Sequence, residues 1–138
     1  MNIVLTGYRG FLGSHLLCDC SSKYTFTLLG RNPIGDKVFD INSENEVNSA
    51  LSDADVLIHS AARAHVLHDK SSDPWHDYVC SNVDLTMMLA QKAIGAGVKR
   101  FIFLSTAKLS NSELIGDFSN LRSKLDLYTQ SKADAERV

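Results

Sequence analysis

Two groups of residues have the types and the spacing to do chemistry. Tyr128 and Lys132 stand four positions apart, which on a helix puts both on one face and brings the ammonium near the phenol. A free phenol ionises near a pKa of about 10, too high for a base at neutral pH, and a neighbouring cation favours the phenolate. Lys132 is expected to supply that charge. Near the start of the chain, Gly7, Gly10 and Gly13 form G-x-x-G-x-x-G. That pattern lets the backbone turn tightly and approach a pyrophosphate without side chains in the way, while helix amides face the phosphates.

The elements around these groups can be read from hydrophobic period and punctuation. Asn2 to Thr6, with Ile3, Val4 and Leu5 adjacent, has the pattern of a strand buried on both faces. A helix is expected from the glycine loop, with Phe11, Leu12, His15, Leu16 and Leu17 near helical spacing and an end by Ser21-Ser22. Tyr24 to Leu29 reads as a second strand, and Lys37 to Phe39 as a short extended piece. Ser43 with Glu46 has the form of a capping box before a helix with Val47, Ala50 and Leu51 on its stripe. Asp55 to His59 is a further strand. Asp73-Pro74 then opens a long helix running to about Ala96, with Gly97 as its stop. Arg100 to Ser105 is the next strand, and the chain is helical from Leu125 onward. Strands alternating with helices predict an α/β fold, a doubly wound parallel sheet of the Rossmann type.

The chain has 138 residues, within the range of one domain, so residues 1–138 are read as a single domain. A net charge of -2 provides no basic surplus for a polyphosphate backbone, so nucleic acid is not an expected partner. With no secretory leader and no long apolar run, the expectation is a cytoplasmic protein with no membrane association. Cys18, Cys20 and Cys80 are odd in number and lack C-x-x-C spacing, which predicts reduced thiols and no zinc site. His65, His68, Asp69 and His76 are metal-type residues, but the turn between them sets no ligand geometry, and no metal is expected.

Thr6-Gly7-Tyr8-Arg9-Gly10-Phe11-Leu12-Gly13 resembles the T-G-x-x-G-F-[IL]-G signature of the extended short-chain dehydrogenases/reductases. Asp40-Ile41, His59-Ser60-Ala61-Ala62, Asn82-Val83-Asp84-Leu85-Thr86 and Tyr128-Thr129-Gln130-Ser131-Lys132 follow in the order of that family. The resemblance runs through the whole chain and implies an NAD(P)-dependent enzyme acting on a nucleotide-activated sugar. Such proteins usually continue for roughly as long again. The chain is therefore expected to be an N-terminal half, truncated before the substrate domain, that binds cofactor without being fully active alone. A homodimer is a further expectation.

The same resemblance implies the roles. The loop from Gly7 to Gly13 would hold the pyrophosphate, and Asp40 and Ile41 would meet the adenine. Ser60, Ala61 and Ala62 would leave room beside the cofactor, with His59 packing rather than catalysing. Asn82 would steady the active-site backbone. Tyr128 would exchange the proton of the sugar hydroxyl while hydride passes to or from the nicotinamide, and Lys132 would also bind the ribose. Thr106 would hydrogen-bond the reacting oxygen, with Ser105 the adjacent alternative.

The second strand ends in Leu28-Leu29-Gly30-Arg31-Asn32, without the acid that accepts from the ribose hydroxyls in NAD-preferring relatives. Arg31, with Arg9 from the glycine loop, would suit the 2'-phosphate of NADP. The expected cofactor is NADP or NAD, with NADP favoured. Thr106 is followed by Ala107-Lys108 rather than the Asp-Glu of sugar-nucleotide dehydratases, and then by Leu109-Ser110-Asn111 rather than the V-Y-G of many 4-epimerases. Ala61-Ala62-Arg63-Ala64-His65-Val66 and Ser105-Thr106-Ala107-Lys108-Leu109 instead resemble a branch of N-acetylhexosamine epimerases and 4-keto-sugar reductases. The alternative reading is a non-catalytic dinucleotide-sensing or protein-binding module on the same fold.

Overall fold

The computed structural model describes residues 1–33, 38–64, 70–109 and 126–138. Lys37, His65, Val66, His68, Asp69, Ser110, Asn111 and Leu125, which figure in the sequence reading, lie outside them. By contacts, the chain divides into two compact units, Met1–Ala61 with Leu89–Leu104 and Ala62–Met88 with Ser105–Val138.

The first unit holds a five-stranded parallel sheet: β1 (Asn2–Thr6), β2 (Thr25–Gly30), β3 (Val38–Asp40), β4 (Val56–His59) and β5 (Arg100–Phe103). Its order is β3-β2-β1-β4-β5, that of the doubly wound dinucleotide-binding sheet, in which strand succession reverses beside β1. The apolar run of β1 is buried as expected, with Leu5 at 0% exposure, and Leu29 and Leu57 from the neighbouring strands are fully buried too. Register sets Thr6 level with Leu29 on one side and with His59 on the other. Gly7 and Ser60, just beyond their strands, and Gly30, the last residue of β2, therefore share the carboxyl edge of the sheet, where ligands of such folds bind.

Helix α1 (Phe11–Cys20) follows β1, α2 (Glu44–Leu51) packs against β2 and β3, and most of α4 (Leu85–Gly95) belongs to this unit. The helix starts depart from simple patterns. The helix expected from the glycine loop forms, and its first residues Phe11 and Leu12 are 78% and 55% exposed. The buried residue of that turn is Gly13, because its missing side chain is what lets the helix start close against the loop. The capping box of α2 is also rearranged. Ser43 Oγ accepts from the Glu46 amide at 3.4 Å, but the Glu46 carboxylate accepts from the Asp40 amide rather than from Ser43. The Ser43 amide is already taken by the Asp40 carbonyl, since β3 ends in a tight turn directly before the helix.

The second unit contains α3 (Pro74–Tyr78), the start of α4, a 3₁₀ turn (Ala107–Leu109) and α5 (Leu127–Ala135). Asp73 caps α3 by accepting from the His76 amide, with Pro74 at the first helical position, as the sequence implied. The long helix expected to about Ala96 is interrupted: Val79–Asp84 form a π-helical turn between α3 and α4. The wide turn contains Asn82, which is 1% exposed, and Thr86 Oγ1 donates to the Asn82 carbonyl at 2.6 Å. Such turns inside helices are frequent at functional sites. Among the described residues no helix is long and apolar enough to cross a membrane.

Candidate functional site

In the first unit the glycines divide by what surrounds them. Gly7 has φ +71, and a Cβ there would meet Ala61 N at 2.5 Å and Ser60 C at 2.6 Å. A Cβ at Gly13 would lie 2.3 Å from Gly7 O and 2.7 Å from Tyr8 Cα. Both distances are far inside van der Waals contact, so these two glycines let β1, the loop and α1 pack together. Gly10 differs, because its Cβ would meet only Gly7 O, at 3.2 Å. It is exposed and stands at the N-cap of α1 in extended conformation without a side-chain cap, and the first turn carries no acid. An uncapped helix start behind an open glycine fits an anionic pyrophosphate.

The ends of β1 and β4 beside the loop are tied together by hydrogen bonds. Ser60 Oγ donates to the Thr6 carbonyl at 2.6 Å, and the Ala61 amide donates to Thr6 Oγ1 at 3.2 Å. His59, expected to pack, is 0% exposed, with Nδ1 2.6 Å from Thr6 Oγ1 and its ring 5.7 Å from that of Phe103. At the end of β2, the Tyr8 ring lies over Gly30, where a Cβ would meet Tyr8 Cε1 at 2.8 Å. Tyr8 Oη is buried and has no hydrogen-bond partner among the described residues. The Arg9 guanidinium sits 5.3 Å from the Tyr8 ring centre and donates to the Asn32 carbonyl at 3.2 Å. Arg9 thus reaches the turn that carries exposed Arg31. Ile41 is buried, with its amide on the Gly30 carbonyl, and Asp40 Oδ1 accepts from both the amide and the side chain of Asn42.

The second unit brings a different set together. Asn82 Oδ1 accepts from the Arg63 amide at 2.7 Å, and its Nδ2 donates to the Arg63 carbonyl at 3.1 Å and to Ser131 Oγ at 2.8 Å. Ser131 Oγ donates in turn to the Tyr128 carbonyl at 2.7 Å. A largely sheltered chain of hydrogen bonds, buried at its Asn82–Ser131 link, therefore runs from the loop after Ala62, itself exposed, through the π turn to the helix of Tyr128 and Lys132. Ser131, 0% exposed, was seen in the sequence only as part of a motif. Its spacing of three from Tyr128 is the signal that could have marked it.

Asp126 caps α5, with Oδ1 accepting from the Thr129 amide at 2.9 Å. Burial pushes its carboxyl up, but the Lys108 ammonium and the amide and hydroxyl of Thr129 outweigh this and hold it at about 2. Lys108 Nζ lies 2.9 Å from Asp126 Oδ2, and the Lys108 amide donates to Thr106 Oγ1 at 3.4 Å. Thr106 is half-buried and Ser105 exposed.

Burial raises the Tyr128 phenol above its ordinary value; Lys108 pulls it down, while Asp126 and Tyr78 push it further up. The sequence reading assigned a downward pull to Lys132; among the described residues it is Lys108 that supplies one. Lys132 is 2% exposed, and burial pushes its own ammonium down to about 8 against a weaker opposing effect of Glu136. Desolvation weakens the charge that helical spacing places near the phenol. Among the described residues no group of three or more His, Cys, Asp or Glu side chains converges to hold a metal.

Comparison with known proteins places this architecture. Residues 3–136 match the NAD dependent epimerase/dehydratase family. A UDP-glucose 4-epimerase of Vibrio cholerae is 34% identical over 99% of this chain and 45% of its own length. A dTDP-glucose 4,6-dehydratase of Streptomyces antibioticus is 31% identical over 81% of this chain and 39% of its own. Among solved structures, MoeE5 in complex with UDP-glucose and NAD superposes with a TM-score of 0.77 at 25% identity, covering 99% of this chain and 47% of that protein. The chain spans about half the length of these relatives. With the glycine turn at the carboxyl edge of a β3-β2-β1-β4-β5 sheet and a family match over nearly all its residues, this chain belongs to the NAD-dependent epimerase/dehydratase family.

Proposed function

We propose that residues 1–138 form one NAD(P)-binding domain of a nucleotide-sugar epimerase or 4-keto-sugar reductase. The first unit supplies the dinucleotide cradle and the second the proton-transfer groups. The observation that carries the reading is the α5 cluster. Lys132 is a lysine 2% exposed one turn beyond a half-buried phenol, on a helix held by Asn82 through Ser131. A buried amine in such a setting costs stability and is characteristic of sites.

In this reading the loop amides around Gly10 bind the pyrophosphate, and Asp40 and Ile41 border the adenine. A bound nicotinamide dinucleotide supplies the hydride acceptor and donor. Tyr128 Oη takes or returns the proton of the sugar hydroxyl, Thr106 Oγ1 hydrogen-bonds the same oxygen, and Lys132 holds the ribose. The 4-epimerase branch is supported by the Vibrio cholerae relative, which carries that name.

NADP is the proposed cofactor, because the end of β2 offers Arg31, with Arg9 hydrogen-bonded into the same turn, and no carboxylate. The neighbour MoeE5 holds NAD, so the test compares the two dinucleotides directly. In a fluorescence titration of the chain with NADPH and NADH, Arg31→Ala is expected to weaken NADPH about tenfold and NADH little, since only NADPH loses a charge-assisted contact. Equal losses for the two would remove the NADP assignment. Absence of binding by either dinucleotide would remove the cradle reading itself.

A further inference from the structure

Lys108 and Asp126 are 18 residues apart in sequence, yet they join the two elements that carry the proposed reacting groups. On one side, the Lys108 amide donates to Thr106 Oγ1 and the Leu109 amide to the Thr106 carbonyl, so Lys108 rides on the 3₁₀ turn that begins at Thr106. On the other, Asp126 caps α5 with both carboxylate oxygens engaged by Thr129, one residue beyond Tyr128. The 3₁₀ turn and α5 also pack against each other. The ion pair is half exposed, with side-chain exposures of 53% and 51%, and such pairs contribute little to stability. Its distinctive feature is therefore where it places charge.

We propose that Lys108 and Asp126 are a positioning pair of the redox site. Their ion pair fixes the Thr106 turn on the first turn of α5 and sets one positive and one negative charge beside the Tyr128 phenol. The proposal rests on the proton-transfer role given above to Tyr128. Among the described residues the groups acting on the phenol are Lys108 from the 3₁₀ turn, Asp126 from the cap of its own helix and Tyr78 from α3, with Lys132 one turn further along α5. Lys108 favours the phenolate and Asp126 opposes it. The pair is tied to the Thr106 turn on one side and to the cap of α5 on the other, and its two charges act on the phenol in opposite directions, so a titration reads each partner separately.

The test is an ultraviolet titration of phenolate formation in the full chain at low ionic strength, where charges are least screened. Each variant is read against the same variant carrying Tyr128→Phe, so that Tyr8, Tyr24 and Tyr78 cancel. Lys108→Gln is expected to move the Tyr128 midpoint up and Asp126→Asn to move it down, each by about half a pH unit, as one partly exposed charge does. Lys108→Arg keeps a positive charge throughout the phenol's titration and should not move the midpoint up. Asn is also a good N-cap, so Asp126→Asn retains the start of α5. Shifts of the same sign in the two variants, or no shift in either, would overturn the proposal. The readout needs no turnover, so it is distinguishable from failure of the catalytic reading, which would appear as normal hydride transfer in Tyr128→Phe alongside unchanged opposite shifts.

Discussion

The glycine turn and the α5 cluster prepare for chemistry in opposite ways. Around Gly7, Gly10 and Gly13 the sequence removes side chains and leaves backbone amides at the helix start open, which is what the proposed dinucleotide site uses. Two of those glycines are enclosed by backbone within 3 Å of where a Cβ would stand, and the third is open. Around Tyr128 the sequence adds side chains and buries them, with Thr129, Ser131 and Lys132 each no more than 2% exposed. A backbone site is limited by space, and a side-chain site by desolvation. Substitutions in the first should therefore act through sterics at any pH, and those in the second through proton affinity.

The largest expected effect is on turnover. In the full-length enzyme containing this segment, Tyr128→Phe removes one proton-transfer oxygen and little packing. Hydride transfer, followed by nicotinamide absorbance, should fall by about 10²- to 10⁴-fold with dinucleotide binding retained. Turnover within a few-fold of wild type would end the assignment of the proton to Tyr128.

Within the glycine turn the contrast is between enclosed and open positions. Gly13→Ala forces a Cβ to 2.3 Å from Gly7 O, and overpacking against backbone should cost about 3 kcal/mol or more. Gly10→Ala meets a single contact at 3.2 Å and should cost about 1 kcal/mol or less. Its effect belongs in dinucleotide affinity instead. Thermal melts and cofactor titrations of the two variants should therefore rank in opposite order, and a shared ranking would show that the division of labour among the glycines is wrong.

The smallest effect is a change of slope with pH. Lys132 has a folded-state value of about 8 against 10.5 for an ordinary lysine. Between those values the unfolded chain binds more protons than the folded one, so stability rises with pH across that window, and below about 8 the full cost of burying the ammonium is present. Lys132→Met lacks this titration. The melting temperature of cofactor-free wild type should gain on that of the variant from pH 8 to pH 10, and parallel curves would show that Lys132 is not desolvated in the folded chain.

Much of the fold was legible because it rests on local rules. The run Ile3-Val4-Leu5 became a strand buried on both faces, Asp73-Pro74 became a cap and first turn, and the three glycines became the loop between β1 and α1. The π turn was not legible. Its residues continue a helical pattern, and the widening accompanies hydrogen bonds from Asn82 to Arg63 and Ser131, 19 and 49 positions away. The spacing of Phe11 and Leu12 marked the helix but not its contacting residue, since period alone does not say that Gly13 will be the buried one.

The sequence by itself determined the order of elements and which candidate groups to examine, because motif spacing acts through neighbours one helical turn or one tight turn apart. It pointed to the glycine turn, the Tyr128 and Lys132 pair and the strand end at Thr106 as the proposed site. Which cation acts on the phenol was decided only by tertiary structure. Helical spacing pointed to Lys132, but burial pushes that ammonium down, while Lys108, held against Asp126 on the neighbouring turn, pulls the phenol down. Electrostatic influence depends on distance and solvent exposure, and both are properties of the folded chain that no spacing in sequence encodes.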